Sequence, residues 1–369
     1  MVTYPEDWRE VKLGEALVYT QPTNYIENNY VEHGVVPVLT AGKSFILGYS
    51  DKTDSAYKNL PAILFDDFTT EVRYLDYPFM VKSSATKFLN LKSDYYDIKY
   101  LYYWLDNLKF QIEAHERHWI SRFSKFNVVL PPLAEQQAIA SALSDFDEHI
   151  DNLSELIEKK KAIRDGALEN LISGKTRLAG FDKEVREYKP IKSVYKRVKG
   201  TPITAGTMNE INMSTGAIRV FAGGNTECRT NSDYLSNANI IREPIVIVQS
   251  RGVIDFIYCD EPCTFKNEMW GYTSLGISDV RFLFYYLKHN IEHFRNEGTG
   301  RSSFSQISLP VTEEYLIPVV SMKEQKEIVD ILTAMDEEIE SLKIEKEKMI
   351  QIKEGAMDDL LTGRVRLKV

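Results

Sequence analysis

Hydrophobic residues recur at steps of four and three along two long segments of this chain of 369 residues. In the first segment they are Ile139, Leu143, Phe146, Ile150, Leu153 and Ile157, and in the second they are Ile328, Leu332, Met335, Ile339 and Leu342. Such steps place the side chains on one stripe of an α-helix, as in the seam of a two-stranded coiled coil. The pattern predicts two long helices that pair along these seams, each about 60 Å long at about 1.5 Å per residue.

The two segments are copies of each other. Residues 135–178 align without a gap on residues 324–367, an offset of 189 (324 minus 135), and 17 of the 44 positions are identical. A repeat of fixed spacing is expected when each copy is one continuous helix. Both seams also contain basic residues, Lys160 and Arg164 in the first and Lys346 and Lys353 in the second, which can set the register of the pairing.

The ends of both helices carry start and stop signals. Pro131-Pro132 precedes the first helix, and the capping box Ser321-x-x-Glu324 opens the second. Gly174 and Gly363 supply the left-handed stop. Gly174-Lys-Thr resembles the end of a phosphate-binding loop, but a heptad pattern precedes it instead of a strand, and its copy at Gly363 lacks Lys-Thr. We interpret this sequence as the end of a helix.

The regions before the two helices also resemble each other. Residues 97–105 parallel residues 279–287, and strand-like runs at 35–39, 62–65, 218–221 and 245–248 alternate with turn residues. The predicted fold class is α+β with an internal pseudo-twofold repeat. The predicted boundaries are 1–132 for a first α+β domain, 133–178 for the first long helix, 179–320 for a second α+β domain and 321–369 for the second long helix. If the second domain is compact, the helices are antiparallel and carry one domain at each end.

Composition narrows the class of protein. The net charge of −9 argues against a protein that coats nucleic acid without selectivity. Cys228, Cys259 and Cys263 are too few for a disulfide framework, and we expect core or strand thiols in a reducing cytoplasm. The chain starts without a signal-like segment, and no run approaches the roughly 20 apolar residues of a membrane span.

Four motifs carry a resemblance to a known family. They are residues 7–14 (DWREVKLG), residues 131–136 (PPLAEQ), residues 171–178 (LISGKTRL) and the copy of the last at residues 360–367 (LLTGRVRL). In this order, with two domain-sized regions between them, the chain resembles the specificity subunit of a Type I restriction-modification system. The resemblance covers the whole chain.

The resemblance implies a subunit that reads DNA and is not itself an enzyme. Each globular domain would be a target recognition domain for one half of an asymmetric, interrupted site on double-stranded DNA. The two helices would act as a ruler and as the dock for two methyltransferase subunits, and motor-nuclease subunits would complete the complex. No cofactor is expected on this chain, whereas S-adenosylmethionine, ATP and Mg are expected on the partner subunits.

Candidate DNA contacts come from segments that combine basic and polar residues with turns. They are Lys43, Ser44, Arg117, His118, Arg122 and Lys125 in the first domain, and Asn225, Arg229, Arg251, Arg295, Arg301 and Ser302 in the second. The segments 115–125 and 294–304 hold matching positions before the two helices and predict a shared loop at the DNA face. The alternative is that Trp119, Phe123 and Phe304 pack the core and that the arginines are solvated. Residues 189–199, with five basic residues, are a candidate for phosphate contact or a solvated strand edge.

Residues that resemble catalytic or metal sites lack the rest of such a site. No Asn-Pro-Pro-aromatic or Asp-Pro-Pro-Tyr tetrapeptide is present, so adenine methylation must occur elsewhere. Asp66-Asp67 with Arg73 is more typical of a turn beside a strand than of a nuclease. His289 and His293 on a predicted helix, and Cys259 and Cys263 in a predicted loop, lack further ligands, and we assign no metal. Two rival hypotheses are a fused restriction enzyme, for which the chain has no room, and a scaffold that joins two protein-binding domains.

Overall fold

The structure of the protein is a computed structural model, and it describes residues 4–40, 44–108, 118–183, 185–224, 226–299 and 305–369. The chain divides into two compact units. Unit 1 comprises residues 1–155 and 343–369, and unit 2 comprises residues 156–342. Two long helices cross this division, so each unit contains part of each helix.

Within the described residues, the nine strands of each half follow the same order, whereas the second half has additional short helices. The helices are α1 (Leu13–Ala16), α2 (Ile98–Asp106), α3 (His118–Ser121), α4 (Leu133–Ser173), α5 (Ile191–Val194), α6 (Ala205–Ile211), α7 (Val280–His289), α8 (Ile291–Asn296), α9 (Leu309–Glu313) and α10 (Met322–Leu360). The strands of the first half are β1 (Arg9–Lys12), β2 (Leu17–Thr20), β3 (Val36–Leu39), β4 (Ile46–Ser50), β5 (Ala62–Asp66), β6 (Val72–Leu75), β7 (Met80–Val81), β8 (Thr86–Leu91) and β9 (Asn127–Leu130). The strands of the second half are β10 (Glu187–Pro190), β11 (Tyr195–Lys199), β12 (Ile218–Ala222), β13 (Thr226–Thr230), β14 (Ile245–Gln249), β15 (Asp255–Cys259), β16 (Cys263–Phe265), β17 (Trp270–Ser274) and β18 (Leu316–Val319).

Unit 1 is built on a sheet with the strand order β2-β8-β5-β6, in which neighbouring strands are antiparallel. A second sheet has the order β4-β3-β7 with β3 and β7 parallel, and β1 pairs with β9. All five residues of β5 are buried, as expected for a central strand covered on both faces. The main core lies between the first sheet, α2 and the long helices.

Unit 2 repeats this topology strand for strand. Its sheets have the orders β11-β17-β14-β15 and β13-β12-β16, with β12 and β16 parallel, and β10 pairs with β18. The four predicted strand runs form β3, β5, β12 and β14, so these predictions are confirmed. The mixed α+β architecture with two repeated domains is likewise confirmed.

The predicted ends of the long helices agree with the structure. Helix α4 has 41 residues and α10 has 39. Gly174, directly after α4, has φ +78°, and Gly363, shortly after α10, has φ +71°, which is the left-handed conformation that glycine adopts without strain. At the start of α10 the backbone N–H of Glu324 donates to Oγ of Ser321 at 3.3 Å, as the capping box predicts. The Lys-Thr after Gly174 therefore follows a helix, not a strand.

The described part of the chain contains no helix that is both long enough and apolar enough to cross a lipid bilayer.

Candidate DNA-reading surfaces and the helix joints

In unit 1 the turn after β5 is tied to the start of α3. The backbone N–H of Trp119 donates to the Asp67 carboxylate at 2.9 Å, and that of His118 donates to the Asp67 carbonyl at 3.0 Å. Nζ of Lys87 lies 2.9 Å from the same carboxylate and 3.2 Å from Oε1 of Gln21. Because Asp67 and Lys87 have no exposed side-chain surface, this ion pair is a structural support for the turn after β5 and the start of α3.

In unit 2 the turn after β14 is tied to the residues that follow position 304. Arg251 and Gln306 form a β-bridge, and the N–H of Gly252 donates to the Ser305 carbonyl at 2.9 Å. Gln306 also bridges Thr299, so residues 299 and 306 are held together. Arg251 is exposed at this point. Residues 118–119 in unit 1 and 305–306 in unit 2 thus contact the equivalent turn, after β5 in one unit and after β14 in the other.

The surroundings of the two turns differ. Lys87 is the residue of β8 that pairs with Phe65, whereas Trp270 is the residue of β17 that pairs with Val248. One equivalent position therefore carries a buried cation in unit 1 and an indole in unit 2. The two units share the strand pairing, but different side chains lie beneath the turn after β5 and the turn after β14.

The structure corrects the prediction for His118. This residue is fully buried at the start of α3, so it is not presented to DNA. Trp119 and Phe123 are also buried, with ring centroids 5.4 and 4.9 Å from that of Phe65. For Trp119 and Phe123 the alternative interpretation, packing in the core, is confirmed. The cause is the tie to Asp67, which turns this end of the segment inward.

Other predicted contact residues fall into three groups. Ser44, Lys125 and Arg251 are exposed, and Arg122 is half-buried. Arg295 is exposed but lies 2.7 Å from Glu292, and Arg229 lies 2.9 Å from Glu261. The remaining candidates fall outside the described residues: Lys43, Arg117, Asn225, Arg301 and Ser302. Phe304 also lies outside them.

The charge on Arg229 is locally compensated. It lies on β13 beside Arg219 of β12, and both guanidinium groups face the Glu261 carboxylate. The hydrogen bond from Arg229 lowers the pKa of the Glu261 carboxyl below its usual range, so the carboxylate stays ionised. A phosphate would have to compete with Glu261 for Arg229, which makes Arg229 a weaker candidate than Arg251.

A basic groove in unit 2 was only partly predicted. Lys196 and Lys199 on the edge strand β11 line it together with Arg242 and the acidic residue Glu243. Asn239 donates to the Lys199 carbonyl at 2.8 Å and thereby holds the segment with Arg242 beside β11. The run 189–199 pointed to the two lysines. No local pattern predicts Arg242 as part of the groove, because the two lysines beside it there are distant along the chain.

The residues considered for metal binding have other surroundings. Cys259 ends β15 and Cys263 begins β16, which corrects the expected loop position, and both are buried as expected for strand thiols. His289 ends α7 and lies 3.2 Å from Glu169, whereas His293 is on α8 and stacks on Tyr315. Within the described ranges, no cluster of three or more His, Cys, Asp or Glu residues could hold a metal.

Each unit contains a buried carboxylate that is held by an arginine after a long helix. In unit 2 both oxygens of Glu324 accept hydrogen bonds from Arg177 at 2.7 Å. In unit 1 both oxygens of Glu135 accept hydrogen bonds from Arg366 at 2.7 Å. Arg366 also donates to Asp7, and this contact lowers the pKa of the Asp7 carboxyl. Glu135 and Glu324, like the two arginines, are equivalent in the sequence repeat. The repeat therefore forms the same joint twice, which we define as the contact between the start of one long helix and the residues that follow the other.

A second pair of equivalent contacts joins α2 and α7 to the long helices. Oε1 of Gln136 accepts the N–H of Asp97, the N-cap of α2, at 2.9 Å. Oε1 of Gln325 accepts the N–H of Asp279, the N-cap of α7, at 2.8 Å. Both glutamines are buried. The interiors of these joints are polar but hydrogen-bonded, which makes their geometry specific.

A tyrosine anchors each of these shorter helices. Tyr103 donates to Asp147 at 2.6 Å, and Lys353 lies 2.5 Å from the same carboxylate. In unit 2, Tyr285 donates to Asp336 at 2.8 Å. Arg164, the repeat equivalent of Lys353, lies 3.3 Å from Asp336. Burial, and then the bond to Asp336, raise the pKa of Tyr285 to about 12, and burial raises that of Tyr103 as well.

Three of the four polar interruptions of the predicted seams, Lys160, Arg164 and Lys353, pair with a carboxylate in their own unit. Lys160 lies 2.7 Å from Glu338 in unit 2, and Lys353 pairs with Asp147 in unit 1. In unit 2 Lys160 lies beside Glu338 and Arg164 beside Asp336, so the two helix segments run antiparallel locally. The pairs Asp147–Lys353 and His149–Glu345 show the same direction in unit 1.

The predicted seam residues are buried or half-buried, and their contacts extend beyond a two-helix seam. Ile139 and Leu143 lie in a core with Leu101 of α2 and Leu360 of α10. Ile328 and Leu332 pack in a core that includes α7 and the end of α4. The residues of the predicted seam are Ile139, Leu143, Phe146, Ile150, Leu153, Ile157, Ile328, Leu332, Met335, Ile339 and Leu342. Near the start of each long helix, the core is therefore formed by three helices.

The comparison with known proteins agrees with this doubled architecture. The family model described as "Type I restriction modification DNA specificity domain" matches residues 5–161 and again 184–353. The chain belongs to this family. The specificity subunit of the Escherichia coli Type I restriction enzyme EcoR124I/EcoR124II is 29% identical over 88% of this chain and 85% of its own length. That of MjaVIII from Methanocaldococcus jannaschii is 25% identical over 99% and 94%.

A solved structure shares the fold. The S subunit of a Type I restriction-modification system from M. genitalium has a TM-score of 0.70 and 19% sequence identity, and the match covers 96% of both chains. Family membership confirms the prediction of a specificity subunit, which is a DNA-recognising component and not a catalytic one.

Proposed function

We propose that this chain reads an asymmetric DNA site in two parts, with unit 1 contacting one half-site and unit 2 the other. The supporting observation is that the two units share one strand order and one set of joints, while the loops rest on different residues. Asp67 and Lys87 support the loop in unit 1, and Ser250 and Trp270 occupy the equivalent region in unit 2. The shared strand order together with different supporting residues favours recognition of two different half-sites.

DNA contact is proposed for the exposed cations around these loops. Arg251 and Lys125 are exposed and have no acidic partner among the described residues. Arg117 and Arg301, which lie outside the described residues, belong to the same two predicted segments, 115–125 and 294–304. Phosphate contacts position a reader and base contacts specify the sequence. Lys196, Lys199 and Arg242 are suited to the first role, because they line an open groove at a sheet edge.

The long helices are proposed to act as a spacer. In this arrangement they form an antiparallel coiled coil with one reader at each end, so that the helix length sets the gap between the half-sites. The antiparallel local contacts in each unit support it. So do the matched joints, which hold each reader rigidly on helix segments through Gln136 and Gln325.

The catalytic activities of the complex are proposed to reside on partner subunits in the cytoplasm. Two methyltransferase subunits would dock on the helices and bind S-adenosylmethionine, and motor-nuclease subunits would bind ATP and Mg. The net charge of −9 predicts weak DNA binding by the isolated chain and tighter binding by the complex with the methyltransferase.

The test is a map of methylated adenines in DNA from cells that express this chain with its methyltransferase partner. We expect one nonpalindromic motif with two defined parts and an undefined gap. Arg251→Ala should relax only the part that unit 2 reads, and Lys125→Ala should affect only the other part. A palindromic motif, or a change in both parts with either single substitution, would contradict the proposal.

A further inference from the structure

A buried carboxylate joins α3 to the sheet of unit 1. One oxygen of Asp67 accepts the backbone N–H of Trp119 at 2.9 Å, and the other lies 2.9 Å from Nζ of Lys87. Lys87 also donates to Oε1 of Gln21 at 3.2 Å. Asp67 follows β5, Lys87 belongs to β8 and Gln21 follows β2, and these are neighbouring strands of one sheet. The ion pair therefore connects the start of α3 to three strands at once.

Unit 2 forms the same strand pairing without such an ion pair. There the N–H of Ile307 donates to the Ser250 carbonyl at 3.0 Å, and the Asp67 carbonyl accepts the equivalent backbone contact in unit 1. The Ser250 side chain is neutral, and Trp270 occupies the position of Lys87. A buried ion pair can often be replaced by apolar groups without loss of stability. The pair in unit 1 therefore contributes a defined geometry at α3 and is not what holds the sheet together.

Two candidate DNA contacts lie on the segment that Asp67 fixes. The N–H of Arg122 donates to the His118 carbonyl at 3.0 Å, and the N–H of Lys125 donates to the Arg122 carbonyl at 3.0 Å. These backbone hydrogen bonds connect the half-buried Arg122 and the exposed Lys125 to the start of α3. A change in the direction of α3 therefore moves both cations.

Discrimination between bases is the property that depends on this direction. A hydrogen bond to a base edge weakens steeply when its angle or length changes. The attraction between a cation and the DNA backbone is electrostatic and independent of sequence, and it depends far less on orientation. A displaced α3 would therefore discriminate less between sequences and still be attracted to DNA.

We propose that Asp67 and Lys87 are positioning residues for the half-site that unit 1 reads. Their ion pair holds α3 in the direction that presents Arg122 and Lys125 to the base edges, and so it sets sequence discrimination without touching DNA. Neither residue adds to nonspecific affinity, because both side chains are fully buried. This inference rests on the proposed function and adds to it the residues that orient one of the two readers.

The experiment uses the full-length chain in complex with its methyltransferase subunit. Dissociation constants over a salt series are measured for the duplex that the methylation map defines, for the same duplex with either half-site scrambled, and for an unrelated duplex. The variants are Asp67→Asn, Lys87→Met and their combination, which replaces the ion pair by neutral groups. The matched control is Ser250→Ala, at the equivalent turn position of unit 2.

We expect all variants of the pair to lower discrimination at one and the same half-site by about tenfold, which corresponds to the loss of roughly one base contact. Discrimination at the other half-site, the dissociation constant for the unrelated duplex and its salt dependence should keep their wild-type values. Ser250→Ala should leave the affected half-site unchanged. The combined variant should melt near the wild-type temperature, because it leaves no buried charge unpaired.

The outcomes separate positioning from a purely structural role. Equal weakening on every duplex, the unrelated one included, or a combined variant that no longer folds would overturn the inference, since the pair would then serve only the fold. A combined variant that discriminates as the wild type does, or that loses discrimination at both half-sites, would also overturn it and leave the proposed function intact. A wild-type complex with no preference for two separate half-sites would instead contradict the proposed function, on which the inference rests.

Discussion

The joint between Arg177 and Glu324 permits a quantitative test of the packing in unit 2. The Arg177 side chain is 16% exposed and that of Glu324 is 1% exposed, and two hydrogen bonds of 2.7 Å connect them. Arg177→Ala would leave the carboxylate buried without this partner. Glu324→Leu removes the carboxylate itself, and the combination Arg177→Leu with Glu324→Leu replaces the pair by apolar groups.

The magnitude follows from burial and from the helix position. Breaking a buried ion pair by removing one partner costs about 3–5 kcal/mol of stability. Glu324 lies in the first turn of α10, where the helix dipole stabilises a negative charge by about 0.3–1 kcal/mol, and the partial exposure of Arg177 lets water reach the site. We therefore expect Arg177→Ala to lower the free energy of unfolding by about 2–3 kcal/mol, and the double variant to recover most of this loss.

Urea unfolding of the full-length chain, followed by circular dichroism, measures these differences. The control is Arg295→Ala, which breaks an exposed pair with Glu292 and should cost at most about 0.5 kcal/mol. A loss for Arg177→Ala no larger than that of the control would refute the reasoning. A double variant as unstable as Arg177→Ala would also refute it, because the loss of stability would then not come from the unpaired, buried Glu324 carboxylate.

Three further predictions concern single residues. The pKa of Tyr285 is raised to about 12 in the folded chain. The stability linked to its protonated hydroxyl is therefore complete below about pH 10 and is lost as the pH rises through 12. Thermal melts over a pH series should show that Tyr285→Phe removes this part of the stability loss at alkaline pH. Gly174→Ala should lower stability by about 1–2 kcal/mol in urea unfolding, because φ is +78° and the new Cβ would lie 2.4 Å from the Arg186 guanidinium, whereas Gly166→Ala should not lower it. Arg251→Ala should weaken DNA binding by the complex with the methyltransferase, and an unchanged dissociation constant at low salt would remove Arg251 from the DNA interface.

Much of the architecture follows from local sequence. The steps of four and three predict the long helices because a hydrophobic stripe must be buried along its whole length. Gly174 and Gly363 mark stops because few other residues adopt positive φ without strain. The repeat predicts two equivalent domains, since equal residues at equal spacing form equal contacts, as Glu135 and Glu324 do with their arginines.

The contact surfaces depended on pairings between distant segments. No local pattern shows that Asp67 holds the start of α3 and buries His118, or that Glu261 neutralises Arg229. Nor does it show that Asn239 brings Arg242 beside Lys199 to form a groove. The helices, their ends and the duplication can be predicted from the amino-acid sequence alone, because they depend on periodicity and backbone preference. Which charged residues stay exposed is known only from the folded chain, because burial and ion pairing depend on the segments that the sheets bring together.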